Sequence, residues 1–424
     1  MISMWEPIVN SAEDSFHSSA IIENIFETLL TRIKDQRDFS LYFGSGGICL
    51  LLALYKSAYI NQDGQDSSRS ICLTSVINHL IDNAQEAPLG SFSDYSNLIE
   101  LGSVITFLQH KRLLNFGVDH MCEGLDSCAV PLMEKMGKCG NYDLMGGVVG
   151  VGIYLLLRYT THPAQFRPLL SKTVDILYES AIFDNGRIKW MTIIDTSSKK
   201  WGCNLGMAHG IPGIIMFLRK LYLHGIACQK CRILIEGASA YLLSQMYSLQ
   251  NHSSFYYDVV DLSDNGIDSR LSWCYGDLDV AYTFLLLSET KGLECGALRK
   301  TAYKILKGTT TKQKPVQAHV YDAGLCHGCC GLAHMYNRIY QREQSVWIKA
   351  AAQNWYKVGI HEMFDQHNGT YAGFQLPFFD DTDEQDKVDS YNLSFQTGIA
   401  GIALSLISYI KPVIPDWDYF LMLS

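Results

Sequence analysis

Two short stretches carry the residues best suited to chemistry, Trp273-Cys274-Tyr275-Gly276 and Cys326-His327-Gly328. They offer two thiols and an imidazole, each beside a glycine that lets the backbone turn tightly. Thiolate and imidazole suit zinc, and three protein ligands with an open fourth position mark a catalytic rather than a structural site. Adjacent residues on a helix point about 100° apart, so Cys326 and His327 can share a metal only where the chain turns, and Gly328 supplies that turn. Cys329 and Cys330 crowd the same stretch, and Cys326 with Cys329 has the spacing of a redox pair. A thioredoxin-like pair needs a strand–helix context, and none is visible. Cys274 and Cys326 are preferred as ligands because each stands two residues before the first glycine of a recurring phrase.

A zinc ion with two thiolates, one imidazole and water is electrically neutral, and a third, substrate thiolate makes the centre −1. Such a centre polarises its sulfur weakly, so the thiolate stays nucleophilic while fully ionised. Free cysteine, with a pKa of about 8.5, is only a few per cent thiolate at pH 7. Complete ionisation therefore supplies roughly thirtyfold, or about 2 kcal/mol, and positioning must supply the rest.

The elements that position these residues are announced by the phrase Gly-x-x-Gly followed by an apolar helical run. Clear copies stand at Gly44–Gly47, Gly147–Gly150, Gly210–Gly213, Gly328–Gly331 and Gly398–Gly401. A sixth, Gly276-Asp277-Leu278-Asp279, puts aspartate at the second glycine, and a worn seventh lies within Asp94–Leu108. Seven copies in 424 residues give a unit near 60 residues, room for two helices of about 20 residues with loops. Segments such as Ile21–Lys34 and Ala297–Lys307 show apolar residues at helical spacing. The chain thus reads as an all-α repeat of about seven helical hairpins, and the crowding allowed by paired glycines favours a closed ring over an open solenoid. Gly186–Lys199, with Arg187–Ile194 as its strand, and Phe255–Leu262 break the rhythm and read as small β-rich insertions.

Composition narrows the class. Hydrophobic residues make up 48% and charged residues 18%, and the ten prolines do not cluster. No linker or low-complexity stretch marks an internal boundary, so residues 1–424 read as one domain. A net charge of −9 argues against nucleic acid or an anionic membrane as partner. Thirteen cysteines are too few for a disulfide scaffold, and several sit in apolar segments as small hydrophobes. Residues Met1–Asn10 lack the pattern of a signal peptide, and apolar runs such as Val148–Leu157 are too short to span a bilayer. The expected setting is a reducing cytosol.

Other polar residues occupy related positions. His209 precedes Gly210 as His327 precedes Gly328, a placement that suits an acid/base. Asp143, four residues before Gly147, reads from its own stretch first as a helix N-cap, and second as a carboxylate that could orient or charge His209. Arg270, four residues before Cys274, suits stabilising an anion or pairing with Asp143.

Taken together, Tyr142-Asp143 before its glycine pair, Ala208-His209-Gly210, Trp273-Cys274-Tyr275-Gly276 and Cys326-His327-Gly328 resemble the LanC-type lanthionine synthetases, the cyclases of lantibiotic biosynthesis. The resemblance runs from Gly44 to Gly401. It implies an α/α toroid with inner and outer rings of helices and a small β-containing insertion. It implies zinc (Zn2+) held by Cys274, Cys326 and His327, with His209 and Asp143 catalytic and Arg270 and Tyr275 at active-site positions. The implied reaction adds cysteine thiols to dehydroalanine or dehydrobutyrine within a dehydrated precursor peptide, closing thioether rings. Implied partners are that peptide, a dehydratase and a peptide exporter, with at most peripheral attachment to the inner face of the membrane. Three alternatives stay open: glutathione addition, protein prenylation, and a peptide-binding scaffold with structural zinc. The first would be intermolecular, the second would need a prenyl diphosphate pocket, and the third would enclose the metal with four protein ligands.

Overall fold

The structure is a computed structural model. It describes residues 4–424 apart from 34–37, 61–74, 79–80, 83, 85–91, 115–116, 196, 198, 247–252, 256–257, 260–268, 368–369, 375 and 377–391. The chain groups into two compact units, Met1–Val118 with Gln313–Ser424, and Asp119–Lys312.

In the unit spanning Asp119–Lys312, each apolar run after a glycine pair forms a helix buried almost all round. These are α5 (Val148–Thr161), α7 (Ile211–Leu223) and α9 (Asp277–Ser288). Each packs against the helix that follows it, α6 (Pro163–Glu179), α8 (Cys228–Ser244) and α10 (Leu298–Thr309), which buries only one face. A continuously apolar helix belongs inside and an amphipathic one outside. The inner helices also touch each other, α5 on α7 and α7 on α9. α4 (Asp119–Lys138) packs on α5 and α6.

The other unit repeats the arrangement. Buried helices α2 (Ser45–Tyr55), α11 (Cys329–Glu343) and α13 (Ile399–Ile410) pack in the order α11–α13–α2, and α3 (Phe92–His110) follows α2. α11 pairs with α12 (Val346–Lys357), but α13 pairs with α1 (Ala12–Arg32). The outer helix of the last hairpin is thus supplied by the N-terminal segment. First and last repeats are neighbours, whereas an open solenoid keeps its ends apart.

The glycine pairs work by close approach. A Cβ at Gly331 would lie 1.9 Å from the Leu325 carbonyl oxygen, and one at Gly401 2.0 Å from that of Phe395. In each case the obstacle is the carbonyl six residues earlier, and Gly47, Gly150 and Gly213 meet theirs the same way. The copy with Asp279 departs in its backbone: Gly276 has φ +102°, where the first glycines of the five clear copies have φ between −92° and −141°.

The β-rich insertion is present, with different boundaries. The strand expected over Arg187–Ile194 is two strands in different sheets. β1 (Ile182–Asp184) pairs with β2 (Arg187–Lys189), while β3 (Thr192–Asp195) pairs with β4 (Lys200–Asn204). The break falls at Trp190, whose buried indole donates to the Leu177 carbonyl at 2.8 Å and pulls the chain inward. Within the expected Phe255–Leu262 strand, β5 (Asp258–Val259) pairs antiparallel to β4, Cys203 opposite Val259. Residues 256–257 and 260–262 lie outside the described residues. Among the described residues, no helix is long and apolar enough to cross a membrane.

Candidate active site

The loops leading into the inner helices carry the polar residues. Four share one device: a side-chain oxygen six residues before the first glycine accepts the amide two residues on. Asp38 takes Ser40 N–H at 2.7 Å, Asn141 takes Asp143 at 3.2 Å, Asn204 takes Gly206 at 3.0 Å and Asp322 takes Gly324 at 2.7 Å. Such Asx turns fix a loop without regular secondary structure. The same slot before Gly276 holds Arg270, which is half-buried, with its carbonyl oxygen packed where a Cβ on Gly276 would sit.

In the unit spanning Asp119–Lys312 the structure brings Asp143, His209 and Tyr275 together. His209 Nδ1 donates to Asp143 Oδ2 at 2.6 Å, and the other carboxylate oxygen accepts Met145 N–H at 2.9 Å. The helix N-cap of α5 is Gly147, not Asp143, whose carboxylate instead closes a turn within the loop and bonds the imidazole. The His209 side chain is 34% exposed. Burial disfavours its charged form, but the adjacent Asp143 charge and hydrogen bond outweigh it, so its pKa lies above the ordinary histidine value. The Tyr275 ring lies 5.8 Å from that of His209, and the tyrosine oxygen accepts from Asn204 Nδ2 at 3.0 Å. Asn204 was not legible as a site residue; its signal is the Asx recurring six residues before a glycine.

Cys274 is buried in the loop ahead of α9, its sulfur 3.4 Å from the Ser272 hydroxyl. Its carbonyl accepts the Ala208 N–H at 3.4 Å, so the peptide joining Met207 to Ala208 is bonded to the peptide following Cys274. Gly206 permits this approach, since a Cβ there would stand 2.2 Å from the Cys274 oxygen.

Cys326 and His327 belong to the other unit, in the loop before α11. Gln396 donates to the Cys326 sulfur at 3.5 Å, and the Cys326 amide donates to the Gln396 carbonyl at 2.9 Å. His327 Nε2 lies 3.3 Å from Asp322 Oδ2. A carboxylate on one ring nitrogen is the usual support for an imidazole that binds metal through the other. Cys329 and Cys330 face elsewhere. Both are fully buried, and a Cβ on Gly359 would meet their sulfurs at 3.4 and 3.1 Å. Burial raises the Cys329 thiol well above its ordinary range, and the described cysteines are all free thiols.

No curated protein matches the sequence. Among solved structures the chain is similar to nisin cyclase, with a TM-score of 0.68 and 17% identity over 96% of this chain and 97% of that one. That likeness shows the fold, the all-α α/α toroid that the family resemblance implies and that agrees with the closed ring of hairpins read from the glycine repeats. The family model described as lanthionine synthetase C-like protein matches residues 19–422, nearly the whole length, and the chain belongs to that family.

Proposed function

We propose that the protein is a zinc-dependent cyclase that closes thioether rings in a dehydrated peptide. The observation that carries the reading is the Asp143–His209 pair, one peptide hydrogen bond from Cys274, in a chain of the lanthionine synthetase C-like family. Among the described residues, the candidate set for a metal ion is Cys274, Cys326 and His327. These donors fit zinc with one position left for substrate, and Asp322 beside His327 Nε2 leaves Nδ1 as the coordinating nitrogen. Zinc bound there would supply an ionised, still nucleophilic substrate thiolate.

The remaining steps fall to side chains. As the sulfur–Cβ bond of the thioether forms, the alkene electron pair moves toward the adjacent carbonyl, leaving enolate character at the α-carbon and oxygen. Arg270 and Tyr275 are assigned to that developing charge. His209, oriented through Nδ1 by Asp143, has Nε2 for proton transfer with the incoming thiol and the α-carbon. A preceding reaction must dehydrate serine or threonine in the substrate. We assign the protein to the cytosol, in peripheral association with a dehydratase and a peptide exporter, a setting consistent with free thiols and the absence of a spanning helix among the described residues.

The test is incubation of the zinc-loaded protein with a dehydrated, cysteine-containing peptide, followed by alkylation. Ring closure leaves mass unchanged and removes alkylatable thiols. Cys274→Ala should lose both zinc and cyclisation while keeping its helical circular dichroism. Zinc-loaded protein that leaves every thiol alkylatable would refute the reading.

A further inference from the structure

Two places in the repeat have an acid where the others have their second glycine. Asp279 replaces it outright, and Glu100 stands at the corresponding place in the worn copy. Both carboxyls are buried, and both take the same kind of partner. Asp279 Oδ2 accepts the Met207 N–H at 2.7 Å, and Glu100 Oε2 accepts the Leu41 N–H at 3.0 Å. Met207 and Leu41 are each the sixth residue before the second glycine of the preceding copy, Gly213 and Gly47. In the copy at Gly147–Gly150, whose successor keeps its glycine, the equivalent amide, that of Leu144, donates to the backbone carbonyl of Ala208 at 3.1 Å. The acids thus stand in for a backbone acceptor between successive loops.

The two sites differ in what their loops carry. The loop held by Glu100 continues through Tyr42 to Phe43. The loop held by Asp279 is Met207-Ala208-His209, and it is fixed by three bonds: Met207 N–H to Asp279, Ala208 N–H to the Cys274 carbonyl, and Leu144 N–H to the Ala208 carbonyl. Asp279 lies in the first turn of the helix that follows Cys274, so one side chain ties the candidate acid/base loop to the candidate ligand loop. The helix of Asp279 also starts from a different backbone, with a positive φ at Gly276 that the first glycine of none of the five clear copies has.

We propose that Asp279 is a positioning residue: it locks the Met207–His209 loop so that the imidazole stays on Asp143 beside the Cys274 peptide. This rests on the cyclase reading above. A loop loosened by about 1 Å costs a reaction on the order of 100-fold without a matching loss of binding.

The test compares Asp279→Gly and Asp279→Ala, which remove the acceptor, with Asp279→Asn, which keeps one. Glu100→Gly serves as the matched change at a loop without an imidazole. In the zinc-loaded protein, kcat for cyclisation should fall ~10–100-fold in Asp279→Gly and Asp279→Ala, with KM within ~2-fold. Asp279→Asn should recover to within ~3-fold, and Glu100→Gly should stay within ~2-fold of the parent kcat. Amide exchange at Met207 should quicken in the Gly and Ala variants and return in Asn. Parent-like kcat in both acceptorless variants, an equal kcat loss in Glu100→Gly, or unaltered Met207 exchange would each overturn the proposal. A parent protein that closes no rings would instead sink the cyclase reading, and Met207 exchange would still decide whether Asp279 holds the loop.

Discussion

Asp143 answers two demands with its two oxygens, one for the Met145 amide and one for the His209 ring. The closed turn fixes the carboxylate, and the carboxylate fixes the imidazole's tautomer and keeps its charged form favourable despite burial. Asp143→Asn removes the anion and leaves the burial, so the His209 pKa should drop. The basic limb of the kcat/KM profile, where the imidazolium is lost, should move to lower pH, with kcat down on the order of 100-fold. A profile measured from pH 5 to 9 checks this, and an unmoved limb would remove His209 from the titrating role. The sequence singled out Asp143, His209 and Cys274 because each stands within four residues of the first glycine of a motif, and Tyr275 only through the family resemblance. It concealed Asn204 and Asp322, whose signal spans six residues of irregular loop. Arg270 was noticed for its distance from Cys274, yet its distinction is that it fills the slot where Asp38, Asn141, Asn204 and Asp322 make their turns.

Each inner helix begins where a loop doubles back against it, and the second glycine is the point of contact. At Gly331 the contact is with Leu325, directly before Cys326 and His327. Gly331→Ala would push a methyl group into the Leu325 backbone, which cannot swing aside as a flexible side chain can. Overpacking of this kind costs about 1–3 kcal/mol, and the displaced segment is the one that carries two proposed ligands. Urea unfolding should show the loss, and metal titration should show weakened zinc binding. Gly308 is a matched contrast within α10, where a Cβ would meet nothing within 4 Å. Gly308→Ala should stabilise by about 0.5–1 kcal/mol, through helix propensity alone. Equal effects from the two substitutions would mean that close approach does not explain the glycine pairs. The pairs themselves were legible because they recur, as were the helices they start. The strand break at Trp190 was not, because β-branched residues on both sides favour a continuous strand and only the Leu177 carbonyl, 13 residues earlier, draws the indole inward.

The pairing of α1 with α13 brings together segments nearly 400 residues apart, and neither carries a sequence mark that names the other. What secures the terminal segments is a buried polar cluster on α11. Asp418 accepts from His334 Nε2 at 2.8 Å and from Arg338 Nε and Nη2 at 2.6 and 2.7 Å, and Arg338 Nη2 also donates to the Pro415 carbonyl at 3.1 Å. Trp417 lies 4.4 Å from the His334 ring, Arg338 sits 5.1 Å from the Trp5 ring, and the Trp5 indole donates to Ser408 at 2.6 Å. Burial lowers the His334 pKa despite the pull of Asp418. His334 Nδ1 has no hydrogen-bond partner, so a proton there would be buried without an acceptor. Burial opposes the Asp418 charge, but Arg338 and His334 overcome it and hold the carboxyl below its ordinary range. Both shifts have the same consequence. The unfolded chain binds protons that the folded one refuses, so stability falls as pH drops. The His334 share should begin to go below about pH 6.5, where the unfolded imidazole titrates, and the Asp418 share below about pH 4. Asp418→Asn should cost about 3–5 kcal/mol near neutral pH by leaving Arg338 charged, buried and poorly compensated. If the cost lies in that stranded charge, Asp418→Asn combined with Arg338→Met should recover most of it. Urea unfolding of both variants at pH 5, 6 and 7.5 decides the point: a double variant no more stable than the single one would show that the cluster acts by packing and not by charge.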